Sequence, residues 1–336
     1  MKLFNVLSIA ALIFATVACS TGDMMDTESA SVNTVASSAT SDNAYLSLNI
    51  NSNAVSTKAA DETEATIAQT VTSCTVILYN NDGIQSINDN LAVAADGTVN
   101  TTLYTKARSD EKIMVIANST VQFAGNVTTM DEVNEMIQKA SSFNADNLVK
   151  VGTKALDFST ITPSSTTGAT ASNTLNVTVE VSQLTACVRL AGFNVVSYNG
   201  KAADVKLTNV TLNNVNLSEK TDGTEDHTEG FTTSSKEVNE TVYSNGSAQS
   251  LTTVPTFFSF KNTSSSATSM TIDFTVGGKA YSKTYVINNG AVNSGVLYNL
   301  TVNMTINNNS VDVNFTTYTS DWAEGGTINI DMTRNN

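Results

Sequence analysis

The sequence predicts a mainly β, exported protein of two domains, and three observations carry that prediction. Charged residues make up only 14% of the chain, against about a quarter in an average soluble domain. Asn, Thr and Ser fill the difference, which suits strands with polar outer faces. Short apolar runs bounded by Asn, Asp and Gly recur along the chain, as in "SCTVILY" before Asn81-Asp82-Gly83. The length of 336 residues leaves room for two domains of ordinary size even after an N-terminal leader is removed.

The leader comes first. Lys2 supplies a minimal positive region, Leu3 to Val17 form an apolar run too short to span a bilayer stably, and Ala18-Cys19 follow, so residues 1–18 read as a signal peptide. A cysteine directly after a small residue at the end of such a run resembles a lipobox, which makes Cys19 the candidate lipidation site. Thr16 stands where that motif usually has Leu, and the plain alternative is a secretory peptide with a chance cysteine. Acylation through more than one chain would give a firm lipid anchor. From Ser20 to Asp42 there are few bulky apolar residues, so residues 19–43 read as a flexible tether.

The first strand lies in "NAYLSLNIN". Leu46, Leu48 and Ile50 alternate with Ser47, Asn49 and Asn51, so one face is aliphatic and the other polar. A soft polar segment follows at once, carrying the single basic residue Lys58 among small neighbours. The Lys58-Ala59 bond is therefore open to a trypsin-like protease.

Further along, "KIMVIAN" is a near-continuous apolar run of the kind buried on both faces. "TTMDEVNEMIQKA" predicts one helix. Thr129 and Glu132 have capping-box spacing, Asp131 sits at the positive end, and Met130, Val133, Ile137 and Ala140 share a face. The Ser/Thr-rich stretch from Pro163 to Thr174 reads as a long loop, with a domain boundary near Gln183. Two hairpins are expected, one turning on Asn199-Gly200 and one on Gly277-Gly278, because each pair can supply two positive φ angles.

The net charge of −14 with no basic cluster argues against nucleic acid and anionic lipid surfaces as partners. Cys74 shares its face with Val76 and Leu78, and Cys187 with Arg189, so two buried free thiols are at least as well supported as a disulfide. No catalytic or metal-ligating constellation is legible, and neither a cofactor nor an enzymatic activity is expected. The single histidine, His227, lies in the acidic loop-like "TDGTEDHTEG". Asn-X-Ser/Thr triplets at Asn118, Asn209 and Asn303 reflect the abundance of Asn and Thr in a chain with a bacterial lipobox.

The order of these features resembles the fimbrillin (FimA-type) family, the major subunits of type V pili. The likeness runs through "NAYLSLNINSNAVSTKA", "CTVILYNNDG", "EKIMVIANST", "TTMDEVNEMI", "VEVSQLTACVRLAGFNVV" and "GVLYNLTVNMTI…VDVNFTTYTSDW", nearly the whole chain from Cys19. "QLTACV" departs from the pattern where the family usually shows a basic residue, and Lys58 stands where familiar members are cut after arginine.

The resemblance implies two tandem β-sandwich domains of transthyretin-like, Greek-key type, with a short helix in the first. It implies an outer-membrane lipoprotein precursor that becomes a cell-surface fimbrium of a Gram-negative bacterium and supports cell adhesion. The expected segments are a removable first strand at 44–58, domains at 59–182 and 183–322, and a candidate donor strand at 323–336. In "GTINIDMT", Ile328, Ile330 and Met332 alternate with polar residues as Leu46, Leu48 and Ile50 do, and Gly325-Gly326 precede them as a hinge. Cleavage after Lys58 would free the first strand, and the C-terminal strand of another copy or a related subunit would fill its place. Two alternatives stay open. If the C-terminal segment is merely the last strand of its own domain, this is a tip, anchor or minor subunit. A surface carbohydrate-binding lipoprotein is the other, with Trp322 as its only tryptophan.

Overall fold

The computed structural model describes residues 42–52, 70–143, 148–200, 203–307, 310–321 and 327–329. Among these residues the chain is mainly β, with one short α-helix. Its first half contains β1 (Asn43–Ser52), β2 (Ser73–Asn80), β3 (Gly83–Ala92), β4 (Leu103–Lys106), β5 (Lys112–Ala117), α1 (Met130–Glu135), β6 (Ile137–Lys139), β7 (Lys150–Ala155) and β8 (Thr174–Gln183). Seven of these strands form one sheet in the order β3-β2-β5-β7-β8-β1-β4. β7 and β8 pair only at Lys150 with Gln183 and Val151 with Ser182, and beyond that corner β8 runs parallel to β1. The β8-β1-β4 part lies over β2 and β5, and Val76, Leu78, Ile113 and Val115 meet Leu46, Leu48, Ile50 and Val179 in the core between the layers.

The "KIMVIA" run behaves as its composition predicts. Ile113, Val115 and Ala117 face that core, while Met114 and Ile116 face a second cluster with Ile77, Phe123 and Val133 on the opposite side. The helix begins as expected. Thr129 accepts from the Glu132 amide at 3.2 Å and Glu132 accepts in return from the Thr129 amide at 3.2 Å. It ends at Glu135, however, and Ile137 belongs to β6, which pairs with a strand of the second half. The apolar stripe was real at Met130, Val133 and Ala140, which all join the second cluster. What stops the helix is the non-local ladder of β6, with Gln138 fully buried and donating to Thr221 Oγ1 at 2.8 Å.

The second half contains β9 (Thr185–Asn199), β10 (Val205–Asn216), β11 (Ser218–Lys220), β12 (Phe231–Ser244), β13 (Ser247–Ala248), β14 (Thr256–Phe260), β15 (Ser269–Val276), β16 (Lys279–Val286), β17 (Val296–Asn307), β18 (Ser310–Asp321) and β19 (Thr327–Asn329). One layer is β13-β12-β10-β15-β16 and the other is β14-β9-β17-β18-β19, joined where Asn216 meets Phe260. Between them lies a core that includes Leu190, Phe193, Leu207, Val210, Ile272, Phe274, Leu300 and Met304.

The Gly277-Gly278 hairpin forms, with both glycines at positive φ (56° and 84°) and Val276 opposite Lys279. The Asn199-Gly200 hairpin does not. β9 pairs with β14 and β17, and β10 with β12 and β15, so the two expected hairpin arms stand in opposite layers. Both arms carry long aliphatic faces, and burying those faces against each other across the sandwich outweighs the local turn preference. Cys74 and Cys187 are buried and free, and burial pushes both thiols up to about 12. Such thiols are inert toward exchange at neutral pH.

Between the halves, β6 pairs antiparallel with β11. Lys220 pairs with Glu135 and Lys139 with Glu229 across this joint. Glu219 is fully buried in it, accepting from Ser294 Oγ at 2.6 Å and from the Lys261 amide at 3.0 Å. Burial pushes its carboxyl up to about 8, against those two hydrogen bonds and the Lys261 charge, with the neighbouring Glu225 adding to the rise.

Candidate functional site

The expected aliphatic face of the first strand is present and inward. Leu46, Leu48 and Ile50 are each at most 4% exposed and pack into the core of the first half. The sequence did not reveal that β1 is an interior strand. Eight residues, Tyr45 to Ser52, pair in parallel with Thr174 to Val181 of β8, and Asn43 to Leu46 pair antiparallel with β4. Past β4, the Leu48 carbonyl accepts from the Val99 amide and the Ile50 amide donates to the Gly97 carbonyl, at 2.9 and 2.8 Å. Gly97 has φ +84°, and a Cβ there would lie 2.3 Å from the Ile50 carbonyl oxygen, so only glycine lets the loop close on β1.

The groove around β1 is braced from below. Glu111, 1% exposed, accepts from Thr105 Oγ1 of β4 at 2.8 Å and from Asn80 Nδ2 of β2 at 2.9 Å, and burial raises its carboxyl above the ordinary range. On the far side of residues 53–69, the chain is pinned as it resumes. Asn118 Nδ2 donates to the Thr70 carbonyl at 2.8 Å, Asn118 Oδ1 accepts from the Thr72 amide at 3.0 Å, and the buried Lys150 ammonium reaches the Thr70 carbonyl at 3.4 Å. The segment that follows the interval is thus pinned by contacts that do not involve β1. By sequence the Asp110-Glu111 pair reads as turn-flanking carboxylates that serve solubility, but Glu111 is buried and bonded between β2 and β4; Lys150, equally buried, carries no periodic signal.

The remaining candidates divide. Cys19, Lys58, Ala59, Trp322, Ile330 and Met332 lie outside the described residues. Ile328 belongs to β19, whose backbone pairs antiparallel with the outer edge of β18, Ile328 opposite Thr319. His227 sits on the second half, its Nε2 2.9 Å from Glu225 Oε1 and its ring 4.9 Å from that of Phe231.

A two-sandwich β protein whose first strand completes a core from the chain's own N-terminal end is the class that this geometry defines. The same fold is found in a fimbrilin (fimA) from Porphyromonas gingivalis W83, at a TM-score of 0.55 and 17% identity over 84% of this chain and 98% of that one. Two candidate cell adhesion proteins from Parabacteroides distasonis ATCC 8503 share it as well, one at a TM-score of 0.56 and 15% identity over 84% of this chain and 98% of that one. The other has a TM-score of 0.53 and 13% identity, over 84% of this chain and 99% of that one. No family model and no curated protein matches the sequence.

Proposed function

We propose that the chain is a structural subunit of a cell-surface fimbrium, without catalytic activity, exported as an outer-membrane lipoprotein precursor acylated at Cys19. A trypsin-like surface protease cuts it between Lys58 and Ala59. The freed first strand leaves its groove, and the C-terminal segment of another copy or of a related fimbrial subunit, carrying Ile328, Ile330 and Met332, enters by β-strand addition. The observation that carries this reading is the position of β1, an interior strand whose only covalent link to the rest of its domain is through the interval that contains Lys58. Its three aliphatic side chains bury at about 1.5–3 kcal/mol each, so vacating the groove leaves it about 5–9 kcal/mol short of apolar contact before ordering costs. An incoming strand with the same alternation restores that contact. Such a contact is head-to-tail and propagates instead of closing.

While the chain is uncut, β1 competes at very high effective concentration, and a neighbour's strand cannot displace it. Lys58→Ala should therefore remain a folded monomer, and Lys58→Arg should polymerise as well as the parent. The test is N-terminal sequencing of purified filaments, together with gels of boiled and unboiled samples. A filament subunit that begins at Cys19 or Ser20, or an Ala variant that still gives a heat-sensitive ladder, overturns the mechanism.

One observation favours a second reading. β19 lies against β18 of its own chain, as it would in a tip or anchor subunit that accepts a strand and gives none.

A further inference from the structure

The chain holds 17 lysines and arginines, and a protease that cuts after basic residues has to select Lys58 among them. Backbone paired in a strand resists such a cut, because the bond must first be drawn out into the protease's cleft. Every described lysine and arginine except Arg108 and Lys261 lies in a β-strand. Lys261 is locked through its backbone instead. Its amide donates to Glu219 Oε2 at 3.0 Å and its carbonyl accepts from Asn216 Nδ2 at 2.7 Å. The next amide, that of the fully buried Asn262, donates to the Val292 carbonyl at 2.9 Å.

Arg108 is held differently. It lies in the turn between β4 and β5, the exposed Ser109 follows it, and its carbonyl accepts from the Glu111 amide in a long turn bond of 3.3 Å. Its side chain, however, is engaged by two carboxylates. Nη2 pairs with Asp82 at 2.8 Å and Nε with Asp110 at 3.3 Å. Asp82 belongs to the β2–β3 turn, and that turn is tied to the β4–β5 turn at three successive residues. Asn80 Nδ2 donates to Glu111 at 2.9 Å, the Asn81 amide donates to Asp110 at 3.3 Å, and Asp82 takes the guanidinium. A cut after Arg108 would break the chain between β4, which flanks β1, and β5 in the layer beneath. The seat of the first strand would lose the attachment of one wall.

We infer that Asp82 and Asp110 help decide where a trypsin-like protease cuts this chain, by holding the Arg108 guanidinium away from the protease's anionic specificity pocket. The inference rests on the reading that such a protease processes the chain at Lys58. The two carboxylates compete with the protease for the same charge, and the tied turns keep them in place. Exposed ion pairs are individually weak, so each carboxylate contributes a modest factor. Asp82 is the cleaner probe, because it is far in sequence from the guarded bond, whereas Asp110 is two residues beyond it and would touch the protease directly.

The test is a time course of trypsin on the full-length chain under native conditions, with each cut located by intact mass. In the parent, cleavage at Lys58 should be complete well before a fragment ending at Arg108 appears. Asp82→Asn should speed the Arg108 cut about two- to fivefold and leave the rates at Lys106 and Lys112 unchanged. Asp82→Glu, which keeps the charge, should stay near the parent, and Arg108→Gln should abolish the fragment. Three results overturn the guard: an Asp82→Asn chain cut at Arg108 no faster than the parent, an equal rise at Lys106 and Lys112, which would be loosening of the turn, or a parent cut at Arg108 as fast as at Lys58. These rates are read on monomers, apart from assembly. If Arg108 behaves as described while Lys58→Ala still polymerises, the guard stands and the cut-and-exchange mechanism fails.

Discussion

β1 and β9 occupy equivalent places in the two halves. β1 lies between β8, to which it is parallel, and β4, to which it is antiparallel. β9 lies likewise between parallel β17 and antiparallel β14. Both carry an aliphatic face into the core of their half. The difference is covalent. β9 follows β8 directly, at Leu184, and cannot leave without unravelling the chain. β1 is followed by residues 53–69, and the domain resumes at Thr70 with its own anchors on Asn118 and Lys150. Similarly packed strands thus differ in how the chain ties them in: β9 is continuous with its neighbour, whereas β1 joins its half through residues 53–69.

The comparison breaks first at the core. Leu48→Ala and Leu300→Ala remove fully buried side chains from equivalent layers, and each should cost about 2–5 kcal/mol in urea denaturation of the uncut chain. After the Lys58 cut, only the first should also loosen the leader fragment. Equal loosening by Leu300→Ala would mean that the halves are not independent in this respect.

The joint between the halves gives the next effect, through pH. An unfolded Glu219 titrates near 4.5, and the folded one is pushed up to about 8 by burial. The folded state therefore holds the proton more tightly. The stability this contributes is complete below about pH 4.5 and is lost as pH rises toward 8. Glu219→Gln keeps a neutral polar group there, so its denaturation midpoint should fall less between pH 5 and 8 than the parent's, a difference of up to a few kcal/mol. Parallel curves for the two proteins would show that Glu219 is not sealed in the joint.

The smallest effect is expected at the other end of the chain. Among the described residues, the buried members of the second core run no further than Ile306, and β19 pairs over three positions, Thr327 to Asn329, at a sheet edge. Truncation after Trp322 should leave thermal unfolding nearly as it was while abolishing ladder formation. Loss of the cooperative transition would instead make β19 an integral strand and favour the tip or anchor reading.

Much of this architecture was legible where the determining interactions are local. The alternation of Leu46, Leu48 and Ile50, the Thr129–Glu132 capping box and the Gly277-Gly278 turn each involve residues a few positions apart. The sequence was silent or misleading where distant strands decide. Asn199-Gly200 has ideal turn chemistry, yet its flanking strands are drawn into opposite layers. The stripe through Ile137 has helical spacing, yet β11 claims that residue for a ladder. The parallel partners of β1 and β9 come from far along the chain, and parallel pairing leaves no short-range mark. At the candidate site, the inward face of β1 could be read from period two alone. The contacts of its outer face could not, because Asn43 and Tyr45 look like ordinary outer-face residues until Tyr104, Ser164 and Gly168 are brought beside them.

The parallel alignment of β1 with β8 has a mechanical consequence. Traction along the axis of a strand seated there loads the rungs from Tyr45–Thr174 to Ser52–Val181 together, in shear, so they must give way nearly at once. Lifting the same strand outward from its Ser52 end loads one rung at a time, as in a zipper. The pairing is thus tough lengthwise and yielding crosswise, so a strand in that seat withstands a pull along its length far better than a lift from one end.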